Sequence, residues 1–436
     1  MKQLRPYPQV IVTKKAARAL AGGHPWVFEG EVIRVEPSLE SVERAQNGCI
    51  VDVFEENGTY QGTGLLSEMS KIRVRIVTRN ANDRLNEAFW SRKISWGWEH
   101  RKTTMGNRAL PGTEHDTNCC RVIFSEADGF PGLIVDRYEN VLVAQVGTVG
   151  MERLRNVIYP LLLEVLSTDG QVIDGIYERN DSPSRLKEGL PQYKGWWTSA
   201  SPDENGLLAE SSLTLPSTHV LATENGLKFN LDLENSQKTG FFLDQKYNRR
   251  AVRQLAQGRR VLDCFCHFGL NAAAGGADFV RCVDVSQTAI DLARQNAELN
   301  GLADNMDFTC ANVLEYLPEL AGDRGQLKAE GGPFDLIILD PPAFTKTRDK
   351  VRSAMRGYKE INAAAMKLLP RGGYLATCSC SHFMTRDLLA QAIAEAAHQT
   401  NVQLKQIEER QQAPDHPILW GVPESHYLDF FIFQVI

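Results

Sequence analysis

Residues 373–384 read Gly-Tyr-Leu-Ala-Thr-Cys-Ser-Cys-Ser-His-Phe-Met, with Cys378 and Cys380 at alternate positions on an apolar run that ends in a polar turn. Such a run predicts a strand, and in a parallel α/β sheet ligands bind outside the carboxyl ends of the strands. Cys380 then falls at the rim, with Cys378 one pleat deeper on the same face. A thiol at the rim is a candidate nucleophile, whereas a thiol one pleat in is an ordinary core residue. A second apolar run, Leu336 to Leu339, ends in Asp340-Pro341-Pro342-Ala343-Phe344 and brings a carboxyl group to the same rim, where it can hydrogen-bond or exchange protons with a reacting group.

These groups need a sheet to hold them, and the preceding chain supplies its remaining strands. Val261-Leu262-Asp263 predicts a strand end, after which Cys264-Phe265-Cys266-His267-Phe268-Gly269 turns into a helix beginning near Leu270. The next strand, Val280 to Val283, ends at Asp284, 21 residues beyond Asp263. An acid at that place can accept both hydroxyl hydrogen bonds of a ribose at the sheet's switch point, with Val285 and Ser286 beside it. A dinucleotide would require Gly-x-Gly-x-x-Gly for close approach of a pyrophosphate. This turn has only Gly269, and Asp263 would repel phosphate. A nucleoside bearing a cation suits both facts, and S-adenosylmethionine is one. Ser286 is placed to cap the following helix, and Asn312-Val313, after a further strand, could serve the adenine edge. No Gly-Lys-Ser or Gly-Lys-Thr occurs, which removes the usual phosphate-binding loop.

The chain of 436 residues is long enough for two or three ordinary cores. Residues 1–78 read as short strands between turns, the pattern of a small β-barrel. Residues 79–217 begin with a tryptophan-rich helix over 85–102. A strand series, a helix near 152–166, a strand over 172–177 and a loop-rich stretch after Ser182 follow, the pattern of a small α+β domain. From 218 a hairpin turning at Asn225-Gly226 leads into strand and helix alternation to residue 436, which predicts a doubly wound α/β domain. No apolar run reaches membrane-spanning length and the first residues lack a signal peptide's apolar segment, so a cytoplasmic location without a membrane partner is expected. The nine cysteines form no Cys-x-x-Cys pair, so reduced thiols and no metal are expected. A net charge of -6 excludes a generally basic coat but not local basic patches.

Taken together, Lys238-Thr239-Gly240-Phe241-Phe242-Leu243-Asp244-Gln245, Asp340-Pro341-Pro342, Arg356-Gly357-Tyr358-Lys359-Glu360-Ile361-Asn362, the Cys380 strand and Asp415-His416-Pro417 resemble the bacterial 23S ribosomal RNA cytosine-5 methyltransferases. The resemblance covers essentially the whole chain. It implies a Rossmann-like class I methyltransferase domain at the carboxyl end, a PUA-like RNA-binding barrel around His24-Pro25-Trp26-Val27-Phe28 at the amino end, and a small central domain between them. It also implies S-adenosylmethionine as cofactor, with Lys238, Thr239, Phe242 and Asp244 beside its methionine end. The further expected cofactor contacts are Asp263, Phe265, Gly269, Asp284, Val285, Ser286, Asn312, Val313, Asp340 and Pro341. Counted from Gly372-Gly373, Cys380 matches the family nucleophile. Phe268 and Leu270 stand where the family usually has threonine and glycine, and Ala343 where relatives often carry lysine.

Directly after the Asp340 turn, Lys346, Arg348, Lys350, Arg352, Arg356 and Lys359 face a single acid, Asp349. Of these, Lys346, Arg348, Arg352, Arg356 and Lys359 are the expected RNA phosphate contacts. Arg73, Arg75 and Arg79 form a second candidate stripe on the barrel. The expected activity is 5-methylcytosine formation in large-subunit ribosomal RNA, with a homodimer left open. Two rivals stand beside it: an amino-group methyltransferase using Asp-Pro-Pro, and a non-catalytic ribosome-assembly factor.

Overall fold

A computed structural model of the chain describes residues 6–38, 45–106, 108, 116–198, 215–236, 239–345 and 347–436. Two of the residues expected to touch ligand, Lys238 and Lys346, lie outside the described residues, as does part of the loop-rich stretch expected after Ser182. The chain divides into two compact units. One holds residues 1–223, 231–243 and 414–425, and the other 224–230, 244–413 and 426–436.

The first unit opens with strands β1 (Gln9–Val12), β2 (Trp26–Phe28), β3 (Val32–Glu36), β4 (Ile50–Glu55), β5 (Tyr60–Leu66) and β6 (Ile72–Thr78), in the order β2-β6-β5-β4-β1-β3. Val27 from one edge strand and Val10, Val53 and Val74 from inner strands meet in one core. Val32 of the other edge packs on it, so the sheet curls round itself. Helix α1 (Lys14–Ala21), capped by Thr13, closes this core with Ala16 and Leu20 and was not expected from sequence. A second sheet follows, ordered β11-β10-β9-β8-β7. Its strands are β7 (Cys119–Phe124), β8 (Leu133–Tyr138), β9 (Val141–Val146), β10 (Gly175–Asn180) and β11 (Tyr193–Trp196). The described residues 183–196 of this stretch carry regular structure. A 3-10 turn over Pro183–Glu188, capped by Ser182, delivers β11 to the sheet edge. Helices α2 (Glu87–Gly106), the short α3 (Ser125–Asp128) and α4 (Val149–Thr168) complete this part.

The arginine stripe is not an open basic face. Arg75 is buried against Glu188, and Arg73 pairs with Glu29 and the Glu68 carbonyl. Only Arg79 of the three is without a carboxylate partner among the described residues. Ion pairing with residues distant in sequence consumed the other two cations.

Strands β12 (His219–Glu224) and β13 (Leu227–Asp232) form the expected hairpin, with both Asn225 and Gly226 at positive φ as a tight two-residue turn demands. The second unit is built on a seven-stranded sheet ordered β16-β15-β14-β17-β18-β20-β19. Its parallel strands are β14 (Arg260–Cys264), β15 (Phe279–Asp284), β16 (Met306–Cys310), β17 (Leu336–Leu339) and β18 (Tyr374–Ser379). β20 (Asp429–Val435) runs antiparallel between β18 and β19 (Leu404–Gln411). Helices α5 (Lys246–Leu255), α6 (Gly269–Ala274), α7 (Gln287–Leu299), α8 (Val313–Gly322), α9 (Arg324–Ala329), α10 (Val351–Leu368) and α11 (Arg386–Thr400) flank it. One face of the sheet, through Leu262, Ile337 and Leu375, packs against apolar faces of α8, α10 and α11. The chain reverses direction across the sheet between β14 and β17, so the ends of β14, β15, β17 and β18 border one crevice.

Candidate active site

The turn after β14 is held by its own strand. Asp263 is fully buried, and its Oδ2 accepts from the backbone N–H of Phe268 at 3.0 Å and of Gly269 at 2.7 Å. Its Oδ1 has no partner among the described residues. Phe265 and Cys266 lie at φ of 73° and 31°, a region that favours glycine, so the carboxylate holds a turn the local sequence would not choose. Gly269 is required by close approach: a Cβ there would lie 2.4 Å from the Cys282 sulfur. The unusual Phe268 is a packing residue, fully buried and stacked on Phe430 at 5.9 Å, and Leu270 is buried beside it. Asp263, through Oδ2, and Gly269 therefore position the loop, and Asp263 Oδ1 is left without a partner among the described residues.

Burial pushes the Asp263 carboxyl up to about 7, against the pull of its two N–H donors. A carboxyl that binds its proton more tightly folded than unfolded stabilises the fold fully below its unfolded pKa. That contribution is lost as the pH rises through about 7. Asp263→Asn keeps an acceptor for the turn and cannot ionise. In urea melts, wild-type stability should therefore fall relative to the variant, by up to ~1.4 kcal/mol per pH unit, between about pH 4 and pH 7, and then level off. A pH-independent difference between the two proteins would contradict this assignment.

At the end of β15, Asp284 uses Oδ1 to accept from the Ser286 N–H at 2.8 Å, leaving Oδ2 uncommitted among the described residues. Val285 beside it is 71% exposed, an aliphatic side chain open at the strand end. Ser286 caps α7 as expected, its Oγ accepting from Ala289 N. Asn312 is spent as the cap of α8, with its amide also donating to Glu315, and Val313 is core. The Asn312 side chain is thus engaged within the first turn of its own helix. A carboxylate with one uncommitted oxygen, an exposed aliphatic side chain and a buried carboxyl under the turn together suit the nucleoside of S-adenosylmethionine. Thr239, by contrast, is buried in the first unit with its hydroxyl donating to Asp136, and Phe242 is half-buried. Thr239 is thus not a free side-chain ligand. Asp244, almost fully buried in the second unit, accepts from the Tyr427 hydroxyl at 2.7 Å.

The two cysteines separate by environment. Cys378 is fully buried, and its thiol donates to Asp340 Oδ1 at 2.9 Å. Burial first, then the Asp340 charge, pushes that thiol well above its ordinary range. It stays protonated and shut away from a substrate. Cys380, just past the end of β18, is half-buried at the rim, with Sγ 3.9 Å from the Pro341 carbonyl. Gln245 donates through Nε2 to Asp340 Oδ1 at 3.1 Å and lies 3.4 Å from the Cys378 sulfur. Asn248 Nδ2 holds its other end at 2.7 Å, and Arg410 Nε in turn holds Asn248 at 3.1 Å. This buried relay fixes the Asp340 carboxyl from behind. Its one sequence signal was Gln245 adjoining Asp244 in the motif. Pro341 is buried, and Phe344 packs on Tyr358 with centroids 4.7 Å apart and so belongs to the core.

Arg348 lies on a 3-10 turn, and Arg352, Arg356 and Lys359 recur at helical spacing on α10, opposite buried Ala354, Tyr358 and Ile361. The three arginines are exposed with no carboxylate partner among the described residues, while Lys359 lies 3.9 Å from Glu395.

A Rossmann-like sheet with an acid at the end of β15 and a PUA-like sheet at the amino end are the architecture of an S-adenosylmethionine-dependent methyltransferase with an added RNA-binding module. Family models agree: residues 211–422 match S-adenosylmethionine-dependent methyltransferase and residues 10–79 match a PUA-like domain. Similar proteins include "Ribosomal RNA large subunit methyltransferase I" of Shewanella amazonensis, 36% identical over 96% of this chain and 97% of that one. The Photobacterium profundum protein of the same name is 35% identical over 97% and 98%. The chain belongs to the ribosomal RNA large subunit methyltransferase I family. The same fold occurs in the solved structure of SMU.776, described as complexed with SAH, with a TM-score of 0.74 and 19% identity over 98% of this chain and 99% of that one.

Proposed function

We propose that this chain methylates carbon 5 of a cytosine in 23S ribosomal RNA, in the cytoplasm, with Cys380 as the nucleophile. The observation that carries the reading is the division of labour between the two thiols: Cys380 half-open at the rim, Cys378 sealed against Asp340. Carbon 5 of cytosine is a poor nucleophile on its own. Addition of the Cys380 thiolate to carbon 6 gives carbon 5 enamine character, while a proton settles at the ring nitrogen, where Asp340 can hydrogen-bond it. S-adenosylmethionine, when bound, supplies an electrophilic methyl group. Transfer of the carbon 5 proton to water, with the ring-nitrogen proton also given up, then restores the double bond and expels the Cys380 thiolate.

The test is nucleoside mass spectrometry of 23S RNA incubated with and without the enzyme. One new 5-methylcytosine is expected. A methyl group on an exocyclic nitrogen would favour the amino-group alternative, and no transfer at all the assembly-factor alternative.

The exposed arginines of the 3-10 turn and the α10 face are assigned to RNA phosphates. Replacing Arg348, Arg352 and Arg356 by glutamine should weaken RNA binding and lower its log–log salt slope by about 0.7 for each phosphate of single-stranded RNA that is no longer neutralised. Cofactor affinity, read by calorimetry, should hold. A wild-type slope in the triple variant would make this face ordinary solvated surface.

A further inference from the structure

Within the first unit, a groove of about 510 Å³ lies between the PUA-like sheet, helix α2 and the loop containing Trp420. Helix α2 buries Trp90, Ile94, Trp98 and Arg101, and turns Lys93, Trp96 and His100 toward the groove at helical spacing. Trp96 is 60% exposed, with the Arg92 guanidinium 5.5 Å above its ring, and Trp420 is 93% exposed. Indoles left in water this fully are out of place on a surface with no partner. Charge says what kind of partner. The groove's carboxylates are already spent: Asp128 is held bidentate by buried Arg101 at 2.7 Å, and Glu126 accepts from the Trp26 indole N–H at 2.9 Å. Its cations are not: among the described residues neither Arg79 nor Lys93 has a carboxylate at ion-pair distance. On a chain of net charge -6, two cations without a carboxylate partner in one groove with two open indoles form a local exception that suits an anion carrying flat apolar faces.

We infer that this groove binds an unpaired stretch of the substrate RNA, with bases stacked on Trp420 and Trp96 and phosphates at Arg79 and Lys93. The inference rests on the reading of ribosomal RNA as substrate and adds a second place, on the first unit, where that RNA is held. Stacking on indole is tolerant of base identity, so the groove contributes affinity and leaves target choice to other contacts.

The test is methyl-transfer kinetics on transcribed 23S RNA with Trp420→Ala, Trp420→Phe and Trp96→Ala, with calorimetry for S-adenosylmethionine. Trp420→Ala should raise the RNA KM about five- to 150-fold, the loss of one stacked base, with kcat and cofactor affinity unchanged. Trp420→Phe should restore most of the loss, since a ring suffices. Active wild type whose RNA KM is untouched by Trp420→Ala and Trp96→Ala would overturn the inference alone. Loss of self-association in those variants, seen by sedimentation with RNA affinity intact, would likewise overturn it and assign the groove to a second copy of the chain. Wild type that neither binds nor methylates the RNA would overturn the functional reading and the inference with it.

Discussion

Cys380→Ala should lower methyl transfer by about three orders of magnitude or more, because without carbon 6 addition nothing makes carbon 5 nucleophilic. The thiol acts on the base, so S-adenosylmethionine and RNA affinities should both survive the change. Cys378→Ala is the informative control. That thiol is fully buried and donates to Asp340, so its loss should cost stability and some rate through a less well-held carboxyl, and leave much of the activity. Cys378→Ser, which keeps a donor toward Asp340, should recover part of that rate. Single-turnover kinetics with calorimetry on each variant reads all of this. A dead Cys378→Ala beside an active Cys380→Ala would reverse the assignment of the nucleophile.

Asp284→Ala should weaken S-adenosylmethionine binding by roughly 1.5–3 kcal/mol, the scale of lost hydrogen bonds to a charged group, or about ten- to 150-fold in Kd. One carboxylate oxygen already holds the Ser286 N–H, so Asp284→Asn should fall between wild type and alanine by keeping the turn while losing charge. RNA affinity measured without cofactor should not move. Unchanged calorimetric affinity for the cofactor in Asp284→Ala would mean that the ribose is held elsewhere.

The parts of this site that strand ends dictate were legible in the sequence. Asp263, Asp284, Asp340 and Cys380 each follow an apolar run, and a parallel sheet carries the ends of such runs to one edge. What those groups do once there was less legible, because their partners come from far along the chain. Asp263 was expected to face the cofactor, and one of its two carboxylate oxygens also holds the turn five and six residues on, a role no local pattern announces. The hold of Gln245 on Asp340 spans 95 residues and leaves no local pattern. Arg73 and Arg75 alternate on a strand as a basic stripe would, but Glu188, 113 residues from Arg75, neutralises one, and Glu29, 44 residues from Arg73, the other. Phe268 departs from the family's small polar residue for a packing reason, since Phe430, on the last strand, stacks against it. Helix α1 was hidden because its single apolar face, Ala16, Ala17 and Leu20, is too short to announce a period between two strands.

The central claim is that Cys380 bonds covalently to carbon 6 of the target cytosine. It is tested most directly with an RNA substrate carrying 5-fluorocytosine at the methylated position, where fluorine cannot leave in place of the proton and the adduct is trapped. Intact-mass and peptide mapping should find one protein–RNA adduct, formed only when S-adenosylmethionine is present, on the peptide containing Cys380 and absent from Cys380→Ala. Full methylation of the normal RNA with no adduct on the fluorinated one, or an adduct that persists in Cys380→Ala, would contradict the account.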